Sequence, residues 1–223
     1  MGDSMPLTAS TKDCTQLTDA ELAEMGDLCA QSSSAYELGH LSKQVGDWVL
    51  VTHVHDGDGL VAFSFSTLER IGGTPAILLG LAHVARVKNR QAVLTAVMAE
   101  NYRRALMAFP DEDVLVGTRL VRPDGFLAFD VLVDHNPRPG HRSSGEERAW
   151  GRRLAKRFGL DTYDDRAFVA RGDGAFPNAV DFEGTAAVSG DLDQFFAEID
   201  TERGDSLISF GWIMAEELLN YGS

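Results

Sequence analysis

The sequence predicts an α+β chain in α/β/α layers: an antiparallel meander of three strands, a helix, then a strand parallel to the third. Three observations carry this. Short turns rich in glycine and aspartate separate apolar runs between residues 48 and 84. The apolar period then changes from two to 3.6 between residues 91 and 107. Another apolar run, Asp113 to Thr118, follows that helix, and a strand–helix–strand crossover is normally right-handed and parallel.

Each element has its own signal. Residues 1–16 read as a polar, flexible lead-in, which leaves 17–223 as a single domain. Thr18-Asp19-Ala20-Glu21 is a capping box that opens a helix carrying Leu22, Met25, Leu28 and Cys29. A second helical stretch runs from about Ala35 to Val45. Trp48 to His53 is the first strand of the meander, and Asp56-Gly57-Asp58-Gly59 is its turn. Leu60 to Leu68 alternates apolar Val61, Phe63 and Phe65 with small or polar neighbours. After the turn Ile71-Gly72-Gly73-Thr74, Pro75 to Val84 is almost wholly apolar, as a strand buried on both faces is. From Gln91 to Met107, Leu94, Met98, Tyr102 and Ala105 form one helical stripe, and Pro110 stops it.

A loop rich in proline and glycine, Asn136 to Gly145, precedes the extra C-terminal elements of residues 143–223. Ser144-Gly145-Glu146-Glu147 is a second capping box, and its helix turns Trp150, Leu154 and Phe158 inward before Gly159. Phe168 to Ala170 reads as a strand, and so does Ser206 to Phe210. Leu192 to Ile199 and Trp212 to Leu219 read as helices. The cluster at Trp212-Ile213-Met214 is core or the contact of a homodimer.

Hydrophobic residues make up 44% of the 223, enough for a sizeable core. The longest apolar run is far short of the roughly 20 residues a membrane span needs, and Met1 to Asp13 has no secretory pattern. The two cysteines, Cys14 and Cys29, have no metal-type spacing, so a reducing, cytoplasmic setting is expected. A net charge of −14 argues against nucleic acid as a partner.

Against that acidic background, one junction is basic. The strand ending at His83 and Val84 runs into Ala85-Arg86-Val87-Lys88-Asn89-Arg90-Gln91-Ala92-Val93, which opens the long helix. Helix N-termini present free amides and partial positive charge, and so hold phosphates. Arg86, Lys88 and Arg90 add cations at that point.

The order of elements and this junction resemble the GNAT superfamily of CoA-dependent N-acyltransferases. In that family a V-x-P-x-x-R-G-x-G-x-G segment joins the fourth strand to the helix. Val84 matches its leading position. Asn89 falls on the Arg position, with Arg90, Ala92 and Leu94 on the glycines. A shift of one puts Lys88 on the Arg and Asn89, Gln91 and Val93 on the glycines. Leu120-Val121-Arg122-Pro123 is faintly similar to the family's T-x-N-P segment through Pro123. The resemblance spans about residues 18–135.

It implies acetyl-CoA or another acyl-CoA as cosubstrate, held at Val84, Arg86, Lys88, Asn89, Arg90, Gln91, Ala92 and Val93. It implies direct transfer to an amine, with His83 or Glu69 as base. The family's usual tyrosine acid has no counterpart after the 113–118 strand, where Phe126 and Phe129 stand instead. That departure and the missing glycines keep open a non-catalytic GNAT-like ligand-binding or interaction domain. A third reading is a metal-dependent hydrolase on His53 and His55, since His53-Val54-His55-Asp56-Gly57-Asp58 partly resembles H-x-H-x-D-H. Ser32-Ser33-Ser34 and Ser64-Phe65-Ser66 lack a nucleophile elbow. Arg171-Gly172-Asp173-Gly174 reads as a turn.

Overall fold

The computed structural model describes residues 6–31, 36–172, 174, 179–181 and 190–222. The Ser32-Ser33-Ser34 run and Asp173 lie outside them. In chain order the elements are β1 (Leu7–Asp13), α1 (Asp19–Cys29), α2 (Leu38–Asp47), β2 (Leu50–Asp56), β3 (Gly59–Ile71) and β4 (Thr74–Val84). Then come α3 (Arg90–Ala108), β5 (Val114–Leu120), β6 (Val133–Asn136), α4 (Gly145–Arg157), β7 (Tyr163–Asp164) and β8 (Val169–Ala170). β9 (Val180–Asp181), β10 (Ser206–Ile213) and α5 (Ala215–Leu218) complete the set. One mixed sheet joins the strands in the order β1-β2-β3-β4-β9-β5-β10-β8-β7, with β6 also on β10.

The meander β2-β3-β4 is antiparallel, and β5 returns parallel to β4 after α3. The β3–β4 hairpin closes tightly because Gly72 and Gly73 both take positive φ, 60° and 91°. A two-residue turn of this hand needs that, and glycine adopts it without a Cβ penalty. Phe63 and Phe65 on β3 pack with Met25, Leu28, Tyr36 and Leu41 of the α1–α2 layer. Ser64 between them faces α3 and receives a 3.3 Å bond from the Asn101 amide. That alternation gives α1 and α2 one face of the sheet and α3 the other. Leu154 of α4 covers Gly117 of β5, where any Cβ would come within 2.8 Å of it.

Four expectations need correction. The segment 1–16 is not a flexible lead-in throughout: Leu7–Asp13 pairs with β2 along its whole length. Only Leu7 and Ala9 alternate as half-buried apolar residues and Ser10 to Asp13 is polar, since an edge strand can be held largely by its partner's backbone. Trp48 belongs to the end of α2 rather than to a strand. Its indole lies over Gly80, where a Cβ would sit 2.2 Å from the ring, and its Nε1 donates to Gln44 Oε1 at 3.1 Å. Trp212 and Ile213 extend β10 instead of opening a helix. They pair with Leu115 and Val114 of β5, and Trp212 meets Trp150 edge-on at 5.8 Å. The 192–199 helix is only a short 3-10 turn, Gly190–Phe195.

Candidate functional site

The two parallel strands part. β4 and β5 are bonded only where Ala76–Leu78 faces Leu115–Gly117. Just beyond, β4 carries a bulge: Ser66 pairs with Leu79 and Ser64 with Ala82, so Phe65 faces two residues, Gly80 and Leu81. A bulge of this kind bends and twists the strand, here at the level where β4 leaves β5. Thr118 reaches across the opening and donates its hydroxyl to the Leu79 carbonyl at 3.0 Å. Further out the gap is filled by the chain itself. Val180 pairs with Ala82 on one side and Leu120 on the other, and Asp181 pairs with His83.

The β4–α3 turn lies at the open end. Ala85 still belongs to the sheet, donating to Val61 at 2.8 Å. Arg86, Lys88, Asn89 and Ala92 are exposed, and Arg90 and Gln91 are half-buried. Asn89 precedes the helix without a side-chain cap, and the first turn holds no acid. Among the described residues, no hydrogen bond uses the amides of Lys88, Asn89, Gln91 or Ala92. Those donors and the Lys88 ammonium are groups of the kind that can cradle an anion. Val84 and Val93 are core residues at 4% and 0% exposure. The Val93 amide is also taken, donating to Asn89 at 3.1 Å, so neither side chain meets a ligand.

His83 is fully buried on the α1–α2 face, its ring 6.2 Å from that of Phe63. Tyr36, also buried, donates its phenol to the Ala179 carbonyl at 3.1 Å. That carbonyl also receives the Ala82 amide at 3.4 Å. His83 and Tyr36 therefore border the same three-residue plug, Ala179 to Asp181. Tyr36 escaped the sequence reading because it precedes α2, far in sequence from the parting strands. Only the fold brings it there.

Glu69 does not join them. It pairs with Ala76, about seven residues back along β4 from His83, or roughly 23 Å. Its carboxylate instead holds Arg157 of α4 at 2.7 Å. His53 and His55 point to one face of β2, with rings 6.2 Å apart. Burial first, opposed in part by the charge of Glu21, brings His53 down to about 4. Among the described residues no group of three or more His, Cys, Asp or Glu is placed to hold a metal. Cys14 and Cys29 are buried and unbridged, and burial, with Asp13 beside it, pushes the Cys14 thiol up to about 12. No described helix is long and apolar enough to cross a membrane.

No protein-family model matches this chain, and no curated protein matches its sequence. Solved structures do resemble its backbone. The ribosomal-protein-S18-alanine N-acetyltransferase of Escherichia coli is similar over 93% of this chain and 95% of its own, at 10% identity and a TM-score of 0.45. A putative acetyltransferase of the GNAT family from Desulfovibrio desulfuricans is similar over 93% and 99%, at 10% identity and 0.41. The aminoglycoside 6'-N-acetyltransferase of Enterococcus faecium is similar over 57% and 74%, at 15% identity and 0.40.

Proposed function

We propose that this chain is a CoA-dependent N-acyltransferase of the GNAT class, acting on an amine. One observation carries the reading: parallel strands part beside an uncapped, basic helix N-terminus. The turn fits a pyrophosphate. The amides of Lys88, Asn89, Gln91 and Ala92 are the donors, with Lys88 and Arg86 supplying charge. Bound acyl-CoA, most simply acetyl-CoA, supplies the activated acyl group. The chain's own residues handle the protons: His83 takes the one the amine loses as the C–N bond forms. Tyr36 returns one to the sulfur as the C–S bond breaks. Both side chains border the gap, on the face covered by α1 and α2. The two unbridged cysteines suit a cytoplasmic setting.

A second reading, a GNAT-like ligand-binding or interaction domain without catalysis, is favoured by β9. As long as Val180 and Asp181 bridge β4 and β5, an acyl arm has no place between those strands. A thermal-shift titration with acetyl-CoA and CoA, followed by turnover on an amine panel, tests both. Ligand that binds the folded state raises its stability as RT ln(1 + [L]/Kd). We expect a shift with either ligand, reduced at least about tenfold in affinity by Lys88→Glu, which is ~1.4 kcal/mol. No shift at millimolar ligand sinks the CoA reading. A shift without turnover supports the second.

A further inference from the structure

A cavity of about 440 Å³ opens on the far side of β10 from β5. It lies where β10 exchanges one neighbour for another: β6 pairs at Phe210 and Trp212, whereas β8 pairs at Ser206 and Leu207. The segment after β6 and the turn before β8 form its walls. Arg142, Ser143, Arg148 and Arg166 line it, with half-buried Phe195 as apolar wall; Phe168 borders it but is buried in the core. Among the described residues no aspartate or glutamate lines it, and His141 of the lining holds Glu147 at 2.9 Å.

We propose that this cavity is a second binding site, for a small organic molecule carrying a doubly charged oxyanion, either a phosphate or paired carboxylates. The site goes beyond the acyl-transfer reading and does not depend on it. Its first support is charge. Among the described residues Arg142, Arg148 and Arg166 enter no ion pair and no side-chain hydrogen bond. Elsewhere Arg70, Arg152, Arg157, Arg171 and Arg203 each hold a carboxylate. The chain has 34 acidic residues for 20 basic ones, so carboxylates are not scarce. Three cations collected around one hollow, none of them paired with an acid among the described residues, make it a place where an anion is favoured. Guanidinium groups match the planar, two-oxygen edge of carboxylate and phosphate.

The second support is shape. The volume falls within the roughly 300–1,000 Å³ range of small-molecule sites. Phe168 takes a left-handed φ of 59°, which a side-chain-bearing residue rarely adopts. Its carbonyl is fixed by the Ile208 amide at 2.8 Å. Residues held in such conformations tend to cluster where ligands are clamped. The half-buried Phe195 beside three cations suits an anion attached to an apolar or aromatic body.

The test uses the full chain with two probes, phenyl phosphate and phthalate, by calorimetric titration. Each is measured on the natural chain, on Arg148→Ser/Arg166→Ser and on Lys88→Glu. We expect at least one probe to bind, tenfold or more weaker in the double variant and unchanged in Lys88→Glu. The preferred probe tells phosphate from carboxylate. Should the double variant lower the unliganded Tm, Arg142→Gln at an exposed position serves in its place, with the same weakening expected. No binding of either probe overturns the site, as does binding that survives the arginine changes. Binding lost in Lys88→Glu alone also overturns it, and assigns the anion to the β4–α3 turn instead.

Discussion

Two helix N-termini in this molecule are built in opposite ways. At α4, Ser144 accepts the Glu147 amide at 3.1 Å and Glu147 accepts the Ser144 amide at 2.6 Å. Asn136 adds a bond to Glu147 at 3.0 Å, and Glu146 and Glu147 bring negative charge to the first turn. Donors and dipole are satisfied from within the chain. At α3, Asn89 makes no cap bond, no acid follows it, and Lys88 and Arg86 add positive charge to positive dipole. One end is completed by its own cap residues and the other is left without a cap. Both begin helices of ordinary length, so the difference lies in the residues at the cap and third positions.

The sharpest way to break the contrast is to convert the second end into the first. Asn89→Ser with Ala92→Glu writes a capping box onto α3. Acyl-CoA affinity should fall about a hundredfold or more, ~2.7 kcal/mol, as the cradle amides and charge are taken. Stability should rise by about 1 kcal/mol in denaturant unfolding. A variant that is stabilised yet binds CoA normally would show that the turn does not hold the phosphates. The reverse experiment, Ser144→Ala with Glu147→Ala, should lower stability by about 2 kcal/mol, since a buried-edge network loses its centre. It should leave CoA binding alone.

The smallest effect is a pH dependence. Burial works to raise the Glu147 carboxyl, but bonds from Ser144, His141 and Asn136 hold it down at about 2, against a usual value of 4.5. Glu21 in the α1 capping box is likewise held at about 2, first by Lys12 and then by the Thr18 amide. A lowered folded-state pKa gives stability that is present above 4.5 and lost as pH falls toward 2. Urea unfolding between pH 6 and 2 should therefore bring the natural chain and Glu147→Gln progressively together. Constant separation across that range would mean the carboxylate's charge does not matter to the cap.

Both capping boxes were legible in the sequence because each is a local pattern, four residues satisfying their own backbone. So were the meander, the change of period at residue 91 and the parallel return, since alternation and turn residues encode them. The basic turn at Arg86 to Arg90 stood out from charge alone. Other features left no such trace. β1 has only Leu7 and Ala9 as an alternating apolar pair and borrows its hydrogen bonds from β2, so its pattern is too short to mark it. Trp212 and Ile213 looked helical next to Glu216 and Leu219, until pairing with β5 claimed them. Glu69 and His83 stood on successive strands as alternative bases, and register sets them roughly 23 Å apart.

The sequence by itself determined the capped starts of α1 and α4, the order of the core strands and the charge of the β4–α3 turn. These depend on residues within a few positions of each other. Only the tertiary structure decided what surrounds that turn. It parted β4 from β5 at a bulge, brought Ala179 to Asp181 into the opening from about 60 residues further along the chain than β5, and set both Tyr36 and His83 against that segment. It also gathered Arg142, Arg148 and Arg166 around one cavity. Contacts of that kind are fixed by strand pairing and the closure of long loops, which no short stretch of sequence specifies.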